Sequence, residues 1–229
     1  MSFTIDPRLA DLLGLDDHLP PVDPSRWSRE ALLARFERPP IWRPDVAVER
    51  WVQVTQPVAA AVLVPLVMRD EASVLLTLRT GHLRKHAGQI SFPGGRSEPS
   101  DSTPVFTALR EAHEEVGLAP ERVHVLGALP TYTTGTGFIV TPVVGLIEPA
   151  AHEHTALQLQ PDPGEVAEAF EVPLRFLMDP RHHQRRAFDF AGTQLSFFSM
   201  PWQPVPEKEY FIWGATAAML RNLYRFLSA

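Results

Sequence analysis

The chain has 229 residues, 45% hydrophobic and 21% charged, with a net charge of −6 at pH 7, proportions that suit a globular protein with a sizeable core. No apolar run approaches membrane-spanning length, the acidic balance argues against general nucleic-acid binding, and the absence of cysteine excludes disulfides, thiol catalysis and cysteine-based zinc sites. The N-terminal stretch lacks the basic-then-apolar order of a secretory leader and the last residues are not a peroxisomal address, so a cytoplasmic location is expected.

Residues 1–56 read as an N-terminal extension. Apolar residues recur at helical spacing in 8–15 and 29–36, but Pro20, Pro21, Pro24, Pro39 and Pro40 break the span into short helices joined by extended connectors. The extension is expected to pack on the domain formed by residues 57–229, or on a second subunit, which would make the protein a homodimer. Residues 58–68 are a near-continuous apolar run, as in a buried strand, with Pro65 implying an edge position or a bulge. After a turn at Asp70-Glu71-Ala72, residues 74–79 return as a second strand. A loop over 81–90 carries Arg84, Lys85 and His86. Residues 90–92 form a short strand that ends in Phe92-Pro93-Gly94-Gly95, where the chain must turn sharply.

The helix that follows is the informative element. Val105, Leu109, Ala112 and Val116 form the stripe of a helix seated on a core, and Gly117 suits a left-handed C-cap. Glu111, Glu114 and Glu115 lie at i, i+3 and i+4 on one face. Arg110 reaches Glu114 at i+4 and offsets part of the repulsion. The remaining charge is focused on one patch, for which a divalent metal is the natural partner.

Beyond the helix, residues 123–129 and 138–147 are two strands joined by a polar loop, 131–137. A short helix is expected to begin over 166–170 after Asp162-Pro163-Gly164, with Glu165 at its start, as a metal ligand, a general base or simply an acidic residue favoured by the helix dipole. Residues 184–190 and 195–200 read as a hairpin, 201–206 as a proline-rich connector, and 211–227 as the last helix, with Ile212, Ala215, Met219 and Leu223 on one stripe. Trp202, Tyr210 and Trp213 read as packing residues. His113 reads as exposed, and His182-His183, set among Arg181, Arg185 and Arg186, as solvated surface.

Arg110-Glu111-Ala112-His113-Glu114-Glu115-Val116-Gly117-Leu118 resembles the second half of the Nudix box. The first half departs from the usual form. Asp101 stands where glutamate is usual, one residue further from the arginine, and Glu98 is a nearby substitute. Leu75-Leu76-Thr77-Leu78-Arg79, then Arg84, Gly88 and Phe92-Pro93-Gly94-Gly95, are similar to the second signature of the coenzyme A diphosphatases within that family. The resemblance implies an α/β/α sandwich with a mixed sheet, an N-terminal extension and a C-terminal helix. It also implies hydrolysis of a diphosphate with Mg²⁺ or Mn²⁺. Glu111 and Glu115 would be the first metal ligands, with Glu114 sharing a second metal or orienting water. Arg110 would hold the carboxylates, Gly94 and Gly95 would bring the loop backbone close, and Arg79 and Arg84 would hold substrate phosphates. For coenzyme A the expected products are 3',5'-ADP and 4'-phosphopantetheine. The rival readings are hydrolysis of another nucleoside diphosphate derivative such as ADP-ribose, and a ligand sensor that does not turn over.

Overall fold

The computed structural model describes residues 6–46, 56–81, 88–190 and 192–229. In chain order it contains β1 (Asp11–Leu15), α1 (Arg29–Glu37), β2 (Val58–Val67), β3 (Ser73–Arg79), β4 (Ile90–Ser91), β5 (Gly94–Arg96), α2 (Pro104–Val116), β6 (Val123–Ala128), β7 (Tyr132–Thr133), β8 (Phe138–Ile147), β9 (Val166–Pro173), α3 (Leu174–Leu177), β10 (Gln184–Phe190), β11 (Thr193–Val205), β12 (Lys208–Trp213) and α4 (Gly214–Ser228). Among the described residues no helix is long and apolar enough to cross a membrane.

A mixed sheet forms the centre, as the alternation of strands with few helices implies. Its order is β4-β3-β2-β8-β6, with β5 added to β2, β7 to β8 and β9 to β3. The β2–β8 pair is parallel in unbroken register from Val58↔Phe138 to Val67↔Ile147, and both strands are nearly continuous runs of buried apolar residues. One face of the sheet packs against α2 through Ala61, Leu63, Leu75, Val143, Ala108, Ala112 and Val116. The opposite face packs against α4 and the N-terminal segment through Val64, Leu66, Leu76, Val144, Leu32, Leu220 and Leu223. The expected α/β sandwich is therefore present.

Five expectations give way to tertiary context. Pro65 is not on an edge strand; β5 pairs with Ala60, Ala61 and Val62 and β3 with Leu66 and Val67, so proline occupies the gap where no ladder bond is required of it. Residues 166–173 form strand β9, not a helix, because they pair along the whole outer edge of β3 from Ser73↔Pro173 to Arg79↔Val166, and pairing overrides the helix propensity of Ala and Glu. Residues 8–15 are a single 3₁₀ turn followed by β1, whose Leu12 and Leu13 are half exposed. The proline-rich stretch from 201 continues β11 beyond the end of its β10 partner and turns into β12, with a bulge between Trp202 and Val205. Strand β12 also takes up residues 211–213, so the last helix starts at Gly214. With β1 and β10 these strands make a second, antiparallel sheet, β1-β10-β11-β12.

Besides the apolar contacts, residues 6–46 are tied to the rest of the chain by a buried cation. Arg221 on α4, 4% exposed at its side chain, pairs with Asp16 at 3.0 Å and with Asp45 at 2.7 Å. Its Nη1 donates to Nδ1 of His183 at 3.0 Å. Arginine can only donate, so Nδ1 is the acceptor and the imidazole proton lies on Nε2, which donates to the Leu177 carbonyl at 2.8 Å. His183 is therefore fully buried, in contrast to the solvated surface its arginine-rich surroundings suggest. The 3₁₀ turn Pro180–His182 aims it inward. Burial, with the Arg221 charge beside it, lowers its pKa to about 4.

This fixes a pH dependence. The unfolded chain binds a proton at this site below about pH 6.5 and the folded chain only below about 4, so His183 removes stability as pH falls through that window. The loss reaches about 3 kcal/mol at the bottom of it. Urea unfolding of His183→Gln, whose amide can accept from Arg221 and donate to Leu177, is expected to be less sensitive to pH between 4 and 6.5 than wild type; parallel curves would contradict the assignment.

Candidate active site

The site is built where β3, the β4–β5 turn and α2 meet. Helix α2 begins at the N-cap Thr103, whose side chain accepts from the Phe106 N–H at 3.1 Å, with Pro104 in the first turn. It ends at Gly117 in the left-handed conformation, φ 69°, as its position after the last apolar residue predicts. Val105 and Leu109, with buried Ala112 and Val116, seat the helix on the sheet. That leaves Glu111 and Glu115 facing the loop that leads into β5, with Glu114 turned outward.

Glu115 is only 3% exposed. Its Oε1 lies 3.2 Å from Nη1 of Arg79, and its Oε2 accepts from the Gly94 N–H at 3.2 Å. Burial raises its pKa to about 7 against the opposing effects of Arg79 and Gly94, and the charges of Glu111 and Glu165 push it the same way. Glu111 is also raised, first by burial and in part by Glu114 and Glu165, despite Arg110 beside it. Glu165 is half exposed, with Oε2 3.6 Å from Nη2 of Arg79.

Arg110 acts as the clamp of the helix face. It meets Glu111 at 3.0 Å and Glu114 at 2.8 Å. Its Nε and Nη2 grip both oxygens of Asp101 at 3.0 and 2.9 Å, the planar two-pronged pairing for which arginine is suited. Asp101 in turn accepts from the Glu98 N–H and from the Thr107 hydroxyl, each at 2.9 Å, and Arg110 holds its carboxyl well below the usual range. Asp101, and not the Glu98 side chain, is thus the acid that ties the loop to the helix. Thr107 was not singled out from the sequence as a supporting residue, although Thr107-Ala108-Leu109-Arg110-Glu111 also resembles the coenzyme A diphosphatases.

The glycines explain how the loop comes so close. A Cβ on Gly94 would lie 2.5 Å from the Ala61 carbonyl oxygen and 2.6 Å from Val62 Cα; one on Gly95 would lie 2.6 Å from the Glu111 carboxyl carbon. Of the residues singled out from the sequence, Arg79, Gly94, Gly95, Arg110, Glu111 and Glu115 come together here. Glu114 is 57% exposed and held by Arg110. Arg84, with Lys85 and His86, lies outside the described residues.

Among the described residues no three acidic or histidine side chains form a ready-made metal cage. The donor chemistry nonetheless fits a hard divalent cation. Glu111 and Glu115 present oxygen ligands, the charge of Glu111 disfavours ionisation of Glu115, and Gly95 leaves free the space that a Cβ would take from Glu111.

Residues 57–189 match the NUDIX domain family. The chain is 44% identical over 169 residues to the uncharacterized Nudix hydrolase NudL of Enterobacter sp. (strain 638), across 72% of this chain and 80% of that one. It is 39% identical over 203 residues to NudL of Salmonella heidelberg (strain SL476), across 88% and 96% of the two chains. Superposition on the crystal structure of the Nudix hydrolase RenU from M. smegmatis covers 60% of this chain and 84% of that one, with a TM-score of 0.44 and 26% identity.

The two glycines should respond differently to substitution. Gly94→Ala drives a methyl into backbone and is expected to cost about 2 kcal/mol or more of stability, whereas Gly95→Ala meets a movable carboxylate and should cost much less. Thermal or denaturant melts of both variants check this, and equal losses would contradict the contacts described.

Proposed function

The chain belongs to the Nudix family, and we propose that it is a cytoplasmic hydrolase that cleaves the diphosphate bond of coenzyme A or its derivatives to 3',5'-ADP and the 4'-phosphopantetheine half. Nudix hydrolases generally use divalent metals such as Mg²⁺ or Mn²⁺. The observation that carries the reading is that two separate sequence signatures act on one carboxylate. Arg79 and Gly94 come from the upstream signature, and both bond to Glu115 of the α2 helix.

In this account Glu111 and Glu115 hold the cation, which when bound polarises the diphosphate oxygens and activates water. Arg110, fixed by Asp101, keeps Glu111 and Glu114 in position and does not touch substrate. Glu114 has one oxygen held by Arg110 and its other side open to solvent, where it orients water or shares a second cation. Glu165 stands half exposed beside Arg79 and is the proposed proton acceptor. Arg79, now on Glu115 and Glu165, exchanges a carboxylate for a substrate phosphate, and Arg84 is assigned the second phosphate contact from its signature position. Coenzyme A carries a separate 3'-phosphate, which gives these extra cations a purpose that ADP-ribose would not.

Purified protein with Mg²⁺ or Mn²⁺ is expected to release 3',5'-ADP from coenzyme A, faster than it hydrolyses ADP-ribose or a nucleoside triphosphate. Glu111→Gln should lower turnover by about two orders of magnitude or more, the scale of losing an electrostatic catalytic element, in a folded protein. Hydrolysis of ADP-ribose alone would overturn the substrate, and undiminished turnover in Glu111→Gln would overturn the site. Arg79→Ala is expected to weaken binding of coenzyme A more than that of its analogue without the 3'-phosphate.

A further inference from the structure

The last turn of α4 meets two arginines from the N-terminal segment. Nη1 of Arg26 donates to the carbonyls of Leu227 at 3.2 Å and Ala229 at 2.7 Å. Nη1 of Arg35 donates to those of Phe226 and Ala229, each at 2.9 Å. Part of this is ordinary helix chemistry, because the last carbonyls of a helix lack internal donors and its dipole favours cations there. Two features go beyond capping. Two guanidinium groups converge on the same Ala229 oxygen, and these bonds use only Nη1 of each, leaving the Nε and Nη2 donors of both out of the cap.

Arg26 and Arg35 line, together with Arg38 and Ser25, an open pocket of about 340 Å³ on the surface. No hydrogen bond or ion pair engages the Arg38 guanidinium among the described residues. No aspartate or glutamate lines the pocket, in a chain whose net charge is −6. Counting a terminal carboxylate at Ala229 against the three arginines would still leave two positive charges. Burial, and after it the charge of Arg26, lowers the pKa of Arg35. The pocket lies on the α4 side of the central sheet, and α2 with Glu111 and Glu115 covers the other. It is therefore separate from the site described above and does not depend on the diphosphatase reading.

We propose that this pocket is a second anion site, which takes a phosphate dianion, either free or as the terminal group of a small phosphate ester. Guanidinium forks match phosphate oxygens in pairs, and a tetrahedral dianion can accept from the unused edges of Arg26 and Arg35 while Arg38 closes over it. Arg38 decides the affinity, since it is the one arginine of the three with no duty in the helix cap.

Calorimetric titration of the full chain without divalent metal, with inorganic phosphate and with AMP as separate probes, tests this. Saturable binding is expected, weakened about tenfold or more by Arg38→Glu, the scale of one charge-assisted contact. Arg79→Ala should leave it unchanged, as should Arg175→Glu, an equal change of charge at an exposed position elsewhere. Tighter binding of AMP would assign the ester, and equal or tighter binding of phosphate the free ion. Arg38 is exposed, and a melting curve matching that of wild type confirms that its variant is folded. Absence of saturable binding overturns the proposal, as does binding insensitive to Arg38→Glu, binding lost in Arg79→Ala, or equal weakening by Arg175→Glu.

Discussion

The buried carboxylate of Glu115 sets the layout of the site, because a charge taken out of water must find partners and each partner comes from a different element. Arg79 is delivered by the end of β3, and the Gly94 N–H by β5. Strand β5 reaches that point by pressing Gly94 onto the backbone of β2, at a distance that no side chain would permit. The apolar stripe of α2 holds the helix at the matching height. Compensation remains incomplete. One arginine at 3.2 Å and one N–H do not offset burial next to Glu111 and Glu165, and the carboxyl rests near neutrality at about 7.

Arg221 provides the contrast. It is as deeply buried, yet each of its three nitrogens has a partner, in Asp16, Asp45 and His183. A buried ion with every partner in place locks an arrangement, and removing one partner costs about 3–5 kcal/mol. Arg221 thereby fixes the N-terminal segment to α4, while Glu115 is left short of positive charge on the other face of the sheet. Perturbed groups that lack full compensation often gather where a ligand supplies the remainder, and of the two faces of the sheet only the α2 face, with Glu115, carries such a group under the proposed function.

How much of this was legible depended on whether the signal was local. Helix α2 was readable in detail, since its stripe, its acidic face and the Gly117 cap all lie within fourteen residues. The buried runs of β2 and β8 were equally plain. Strand β9 was not, because Val-Ala-Glu-Ala-Phe-Glu-Val suits either a helix or a strand and only the open edge of β3 decides between them. His183 carried no local sign of burial, and its partner Arg221 lies 38 residues away. The choice between Asp101 and Glu98 turned on loop geometry, with Arg110 reaching the Asp101 carboxylate and Glu98 bonding to Asp101 through its backbone.

The central claim is that Glu115 and Glu111 form an incomplete charge site that a divalent cation completes. Its most direct test is Mn²⁺ binding, followed by electron paramagnetic resonance, for wild type and Glu115→Gln at the same pH. The account predicts saturable binding by wild type that is weakened by at least about tenfold in the variant, the cost of one lost charged ligand. Equal binding by both proteins would show that the cation is held elsewhere and would contradict the account.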